Sequence, residues 1–194
     1  MVQKYEEIMN YSYLCSKNCE MLEFKDASLT INGHQLFSKL SLMAQDGQMT
    51  CITGPTGSGK TAMAQVMLGF MLLDEGLVSI DGELLTPLSA PTFRKTMAYL
   101  PQKHSVSLSP VEVNTMGLET IWSPFNNRNY HPSVIDEHLD VAPMASKAII
   151  IADDPPSSLL SVLKSMATGN HTVIVMSCEE NYINLSDKLI TIGE

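Results

Sequence analysis

The feature that most constrains this chain is a glycine-rich run between a short apolar segment and a stretch with helical spacing. Residues 54–61 read GPTGSGKT, a full match to the pattern G-x-x-x-x-G-K-[ST]. Residues 49–53 before the run are strand-like, and residues 60–70 after it place apolar side chains at helical spacing. A glycine-rich turn that joins a strand to a helix predicts a phosphate-binding loop in an α/β protein.

The chemistry of such a loop gives its residues distinct roles. Glycines let the backbone fold tightly, so that successive N–H groups point at a phosphate beside the positive end of the helix. We expect the Lys60 ammonium to reach the β- and γ-phosphates of a nucleoside triphosphate and the Thr61 hydroxyl to coordinate Mg²⁺. The predicted nucleotide-binding residues are Gly54, Pro55, Thr56, Gly57, Ser58, Gly59, Lys60 and Thr61.

A pair of carboxylates after a second apolar run supplies a candidate metal ligand. Residues 147–152 read as a buried strand, and Asp153 and Asp154 follow it directly. We expect Asp153 to hold Mg²⁺ through water and Asp154 to polarise an attacking water molecule. Taken alone, the run fits an ordinary strand-end turn equally well. The presence of the phosphate loop favours the metal role.

Composition limits the class of protein. The chain has 194 residues, a formal charge of −9 and 44% hydrophobic residues, which predicts a single domain with its own core. The acidic balance argues against nucleic acid as a partner. No apolar stretch reaches the ~18 residues of a spanning helix, and the N-terminus lacks the apolar region of a secretory signal. We therefore expect a soluble, cytoplasmic protein that reaches the inner face of a membrane only through a partner.

The remaining pattern predicts an antiparallel hairpin followed by alternating strands and helices. Near-alternation over 22–31 and 36–44 flanks Asn32-Gly33, a strong hairpin signal. The alternation of strands with helices later in the chain predicts a parallel sheet covered on both faces. The expected later elements are strands at 77–80, 96–100, 147–152, 172–177 and 188–192, a helix at 157–168, and short helices at 110–121 and 133–139.

These residues resemble the nucleotide-binding domain of the ATP-binding cassette (ABC) transporter family. The resemblance extends from the phosphate loop to Leu100-Pro101-Gln102, which is similar to the family's Q-loop, and to Asp153, which matches its Walker B aspartate. It implies a P-loop NTPase sheet with an antiparallel β-subdomain, over residues 21–194 after an N-terminal extension at 1–20. ATP and Mg²⁺ are the implied cofactors. Gln102 is the implied metal-contacting and catalytic glutamine, which links the site to a transmembrane permease.

The departures from the family pattern fall in the parts that complete catalysis. Residues 102–146 are a shortened helical insertion and contain no signature motif of the LSGGQ type. Asp154 stands where the family has its catalytic glutamate, and Cys178 stands where it has a switch histidine. A neutral thiol does not replace imidazole as a γ-phosphate donor. No aromatic residue falls clearly at the adenine-stacking position, and Phe24 and Phe37 are the candidates.

Three functions are compatible with this pattern. The favoured one is an ABC-type ATP-binding subunit that associates with a permease or with a second ABC subunit supplying the signature motif. ATPase activity, if present, is expected to be weak or partner-dependent. The alternative is a degenerate, non-hydrolysing regulatory module. A small-molecule kinase is disfavoured, because a lid over the phosphates would have only Arg128 as its arginine. The cysteines are expected to be reduced structural thiols, and the scattered histidines show no metal-ligand spacing.

Overall fold

The structure is a computed structural model, and it describes residues 21–102 and 148–193. The N-terminal extension at 1–20 and most of the predicted insertion lie outside the described residues. So do the predicted helices at 110–121 and 133–139, and Cys15, Cys19 and Arg128.

The described elements include the strands and helices that the sequence pattern predicts for these residues, together with a strand at Glu83–Leu84 and short helices at Ala90–Phe93 and Glu180–Leu185 that it does not predict. Two turns of 3₁₀ helix accompany them, at Arg94–Thr96 and Ser157–Leu159. In chain order, the strands and α-helices are β1 (Met21–Ile31), β2 (His34–Gln45), β3 (Met49–Thr53), α1 (Lys60–Met67), β4 (Glu75–Ile80), β5 (Glu83–Leu84), α2 (Ala90–Phe93), β6 (Met97–Leu100), β7 (Ile149–Asp153), α3 (Leu160–Thr168), β8 (Thr172–Met176), α4 (Glu180–Leu185) and β9 (Lys188–Thr191).

An antiparallel sheet of four strands, in the order β2-β1-β4-β5, forms the β-subdomain. The turn between β1 and β2 is Asn32-Gly33, with φ angles of 52° and 78°. Positive φ at both central residues defines the tight turn that an Asn-Gly pair favours, so this hairpin prediction is confirmed. The turn Asp81-Gly82 repeats the geometry between β4 and β5, with φ angles of 54° and 80°.

A parallel sheet of five strands, in the order β6-β7-β8-β3-β9, carries the functional residues. The strand β8 is buried along its whole length and lies between β3 and β7. Because the carboxyl ends of parallel strands meet at one edge, the loop after β3 and the two aspartates at the end of β7 lie on either side of the end of β8. The predicted α/β fold, with a parallel sheet beside an antiparallel one, is confirmed.

Two hydrophobic cores cover the two faces of the parallel sheet. Successive residues of a strand alternate between them: Ile52 packs in the core shared with α1 and the β-subdomain, and Cys51 packs in the other. Leu163 of α3 and Tyr182 of α4 belong to this second core. Both faces of the sheet that carries the candidate functional residues are therefore packed against a hydrophobic core.

The first helix is shorter than its apolar spacing predicts. It ends at Met67 and not at residue 70. Gly69 adopts φ +70°, and a Cβ atom at Gly69 would collide with the side chain of Ala90 at the start of α2. Gly69 thus ends α1 as a local left-handed cap, in which the Phe70 N–H donates to the Gln65 carbonyl at 2.9 Å, and its missing side chain leaves room for Ala90.

Candidate functional site

The loop of residues 54–59 joins the end of β3 to the start of α1. Gly59 precedes the first helical residue with φ +98°, a left-handed conformation that glycine adopts without strain. A Cβ atom on Gly59 would lie 3.0 Å from Cβ of Leu36 in β2, so the β-subdomain packs directly against the loop. At Gly57 a Cβ atom would meet nothing within 4 Å, which leaves that side of the loop open.

The Lys60 side chain lies across the loop that precedes it. Its Nζ atom donates hydrogen bonds to the carbonyl oxygens of Gly54, at 2.6 Å, and Pro55, at 3.0 Å. These contacts hold the ammonium group at the mouth of the loop, where the sequence predicts a phosphate. The same Gly54 carbonyl is 2.9 Å from the Sγ atom of Cys178, so the thiol donates to the first residue of the loop.

Thr61 and Asp153 meet at the edge of the sheet, although they lie in separate parts of the chain. The Thr61 hydroxyl donates to Oδ2 of Asp153 at 2.8 Å. Asp153 is 2% exposed, and burial raises the pKa of its carboxyl group, although the Thr61 hydroxyl and the Lys60 charge oppose the rise. A desolvated carboxylate of this kind favours a bound cation.

The oxygen pair of Thr61 and Asp153 fits a magnesium ion. Two neighbouring ligands of an octahedral Mg²⁺, each at 2.0–2.1 Å, lie about 2.9 Å apart. The two side-chain oxygens are 2.8 Å apart. Within residues 21–102 and 148–193, no group of three or more His, Cys, Asp or Glu side chains could hold a metal ion. A metal ion at these two oxygens would need further ligands from outside the described His, Cys, Asp and Glu side chains.

Asp154 and Gln102 form a second pair at the same edge. The amide Nε2 of Gln102 donates to Oδ2 of Asp154 at 2.9 Å. The Asp154 carboxylate is exposed, and its residue takes a left-handed φ of 50° while its N–H donates to the Met176 carbonyl at 2.8 Å. The structure thus brings together Lys60, Thr61 and Asp153, and separately Gln102 with Asp154.

Supporting side chains that the sequence pattern did not reveal surround these pairs. Burial and the Asp153 carboxylate raise the pKa of Tyr99, which lies on β6 next to β7. Beyond Asp154, the Ser157 hydroxyl donates to Oε2 of Glu179, at the start of α4. Alternation along β6 could have placed Tyr99 on the face toward Asp153, but the Ser157 contact has no sequence signal.

The adenine-stacking candidates Phe24 and Phe37 are wrong. Phe24 is 1% exposed and Phe37 is 7% exposed, and both rings lie in the core shared by the β-subdomain and α1. Alternation along β1 and β2 turns these rings inward, so neither presents a face to a ligand.

Tyr182 anchors the loop that carries Asp154. Its ring is fully buried, and its hydroxyl donates to the Pro156 carbonyl at 2.7 Å. We expect Tyr182→Phe to lower the free energy of unfolding by about 1 kcal/mol, because the ring still packs while a partly buried carbonyl loses its donor. Urea denaturation followed by circular dichroism measures the change. An unchanged denaturation midpoint would show that the hydrogen bond contributes nothing.

The fold and this constellation define a P-loop NTPase domain. A sequence profile of the family described as ABC transporter matches residues 37–159. The chain belongs to the ABC transporter family, as a nucleotide-binding domain. No helix in the described parts of the chain is long and apolar enough to cross a membrane.

Individual relatives agree with this membership. The Fe(3+) ions import ATP-binding protein FbpC 2 of Pectobacterium atrosepticum is 33% identical over 42% of this chain and 24% of its own length. The hemin import ATP-binding protein HmuV of Rhizobium meliloti is 28% identical over 64% of this chain and 47% of its own length. The chain thus spans less than half the length of either relative.

Solved structures show the same fold. An ATP-binding subunit of an ABC transporter superposes with a TM-score of 0.62 at 17% sequence identity, covering 89% of this chain and 85% of that one. A bacterial Atm1-family ABC exporter with ATP bound gives a TM-score of 0.61 at 17% identity, over 91% of this chain and 38% of the exporter.

Proposed function

We propose that the chain binds MgATP at residues 54–61 and acts as a transporter's ATP-binding subunit through nucleotide-dependent association with a partner. The observation that supports this most strongly is the hydrogen bond between Thr61 Oγ1 and Asp153 Oδ2 at 2.8 Å, beside the Lys60 ammonium. A hydroxyl, a buried carboxylate and a cation at the end of a glycine-rich loop are the donor set that a triphosphate with Mg²⁺ requires.

Each of these groups has a role in binding. The loop N–H groups and the N-terminus of α1 bind phosphate oxygens, and Lys60 exchanges its carbonyl acceptors for phosphate. Thr61, Asp153 and Gln102 would hold Mg²⁺, which would neutralise the charge of the phosphates. Asp154 orients the attacking water, and its hydrogen bond from Gln102 fixes the carboxylate. Asp154 has one methylene fewer than glutamate, so we expect slow hydrolysis.

The kind of partner is inferred from the absence of a signature motif in residues 103–146. In the ABC family, ATP lies between the phosphate loop of one subunit and the signature motif of another, and residues 103–146 contain no such motif. We therefore infer a partner that donates one: a second ABC subunit, acting with a membrane permease at its cytoplasmic face. The matches include proteins named for import and a putative export ATP-binding/permease protein of Rickettsia bellii, so we confine the proposed role to the ATP-dependent step.

A non-hydrolysing regulatory module is the second candidate, and one contact favours it. Cys178 places a thiol against the Gly54 carbonyl, at the position where the family has its switch histidine. In this case ATP holds a conformation that the partner recognises, and no turnover is needed.

Calorimetric titration of the purified chain with ATP tests the binding step, with Mg²⁺ and then with EDTA. We expect saturable binding that weakens at least about tenfold in EDTA, since the phosphate charge is then neutralised by Lys60 alone. Absence of binding in Mg²⁺ would contradict the proposed function.

Affinity capture with immobilised chain tests the partner, with MgATP present in one arm and absent in the other. We expect a signature-bearing ABC subunit or a permease to be retained only with MgATP. Equal retention in both arms would contradict nucleotide dependence. Steady phosphate release that Asp153→Asn abolishes would exclude the non-hydrolysing candidate.

A further inference from the structure

The backbone that follows β9 runs along the back of the phosphate loop. Strand β9 pairs in parallel with β3, with Thr191 opposite Thr53. The N–H group of Ile192 continues the ladder by donating to the Thr53 carbonyl at 2.9 Å. The chain leaving β9 therefore stays beside the chain that leaves β3 and becomes the loop.

Two glycines make this close approach possible. A Cβ atom on Gly54 would collide with the carbonyl oxygen of Ile192 and would lie 2.8 Å from Oγ of Ser58. In the opposite direction, a Cβ atom on Gly193 would lie 2.6 Å from Cβ and 3.4 Å from Cα of Ser58. The loop and the segment after β9 thus pack closely: Gly54 of the loop lies against the backbone of Ile192, and Gly193 lies against Ser58.

Ser58 has little freedom to move away from such a contact. It is 7% exposed, and its N–H donates to the Pro55 carbonyl at 3.1 Å across the loop. The neighbours of an added methyl group would be the Cα and Cβ atoms of Ser58, which are not the far end of a flexible side chain. A methyl group on Gly193 would therefore displace the loop backbone, and with it the N–H groups that face a phosphate.

We propose that Gly193 is a positioning residue for nucleotide binding, because it lets the segment after β9 hold Ser58 and the phosphate loop in the binding geometry. This role rests on the proposed function, since its consequence is measured as MgATP affinity. It concerns a residue outside the glycine-rich motif, separated from Ser58 by most of the chain.

Gly193 also satisfies a requirement of backbone conformation, and a control variant separates this requirement from the steric contact with Ser58. Gly193 has φ +83°, so alanine there is strained whatever its surroundings. Gly82, in the turn between β4 and β5, has φ +80°, and an added Cβ atom there would meet nothing within 4 Å. Gly82→Ala carries the conformational strain without the steric contact.

The experiment compares MgATP dissociation constants and melting temperatures of the wild type, Gly193→Ala and Gly82→Ala. We expect both variants to melt at lower temperature, but only Gly193→Ala to bind MgATP more weakly, by about tenfold or more. Gly193→Ala binding within twofold of the wild type would overturn the proposal, and so would an equal loss in Gly82→Ala.

A second variant addresses the contact itself. Ser58→Gly removes the Cβ atom that the new methyl group meets, so the Gly193→Ala change should cost less affinity in the Ser58→Gly background than in the wild type. An equal loss in both backgrounds would exclude the contact with Ser58 as the cause. The double variant also supplies a folded form to measure if Gly193→Ala alone does not fold.

Amide hydrogen exchange separates this idea from the proposed function. The Ser58 N–H, which donates to Pro55, should exchange at least about tenfold faster in Gly193→Ala than in Gly82→Ala, without nucleotide. If the wild type fails to bind MgATP, the proposed function fails, and this measurement still decides whether Gly193 positions the loop. Equal exchange rates would reject the positioning role.

Discussion

Lys60→Ala is expected to weaken MgATP binding by about 100-fold or more while the domain remains folded. The Lys60 ammonium is half-buried at the mouth of the loop, held by the Gly54 and Pro55 carbonyls at 2.6 and 3.0 Å. Hydrogen bonds to charged groups contribute about 1.5–3 kcal/mol each. Losing even two of the weaker bonds to phosphate costs about 3 kcal/mol, which corresponds to about 100-fold in affinity.

Lys95→Ala is the matched control for this experiment. It removes the same charge from an exposed position in the 3₁₀ turn Arg94–Thr96, away from the loop. Calorimetric titration gives the affinities, and urea denaturation checks that both variants are folded. We expect Lys95→Ala to bind MgATP within about twofold of the wild type, because surface charges contribute little. Binding by Lys60→Ala within threefold of the wild type would contradict the assignment of the phosphate site.

Asp153→Asn is expected to have opposite effects on stability and on metal-dependent binding. Burial raises the pKa of the Asp153 carboxyl above its ordinary value of 3.8, so the protonated form is favoured more strongly in the folded state than in the unfolded state. The folded state then binds more protons than the unfolded state between these two pKa values, and stability falls as pH rises through that window. At neutral pH the carboxylate therefore costs stability, and the neutral amide removes that cost.

The first measurement is thermal unfolding without nucleotide between pH 4, close to the ordinary pKa of 3.8, and pH 8. We expect Asp153→Asn to melt above the wild type at pH 8, with a smaller gain at pH 4. Asp26→Asn, which removes the same charge from an exposed position in β1, should show no such trend. A lower melting temperature for Asp153→Asn at pH 8 would contradict the inferred cost of the buried charge.

The second measurement is MgATP affinity, which should no longer depend on Mg²⁺ in Asp153→Asn. The amide keeps an oxygen for the Thr61 hydroxyl but loses the charge that attracts the cation. We expect similar dissociation constants in Mg²⁺ and in EDTA. A variant that retained the full magnesium dependence would show that the ion binds elsewhere.

Features encoded in short stretches were predictable from the sequence. The glycine-rich loop between β3 and α1, the Asn32-Gly33 turn and the strand ending in Asp153 each depend on neighbouring residues, and the structure has each of them where the pattern places it. The pairing of Thr61 with Asp153 was predictable as well, although 92 positions separate them. Both residues are predicted to bind the same Mg²⁺ ion, and the strand order brings them together.

Contacts without a local pattern were not predictable. Nothing near Gly193 indicates that it faces Ser58, because that contact depends on β9 pairing with β3 rather than with a strand nearer in sequence. The fully buried Tyr182 lies in a short helix with several polar residues, so the spacing of apolar residues does not predict its burial. The burial of Phe24 and Phe37, by contrast, agrees with the alternation along β1 and β2, which places both rings on the inward face.

The placement of β8 between β3 and β7 makes the site a joint product of two separate stretches of chain. Residues 21–102 supply the loop and Thr61, while residues 148–193 supply Asp153 and both strands that flank β3, β8 and β9. Neither stretch contains both the Lys60 ammonium and the buried Asp153 carboxylate. If the two were expressed as separate polypeptides, nucleotide would bind only after they reassembled, and ATP would in turn strengthen their association. With the proposed MgATP site, a domain divided in this way would form a two-part sensor whose reconstitution reports nucleotide.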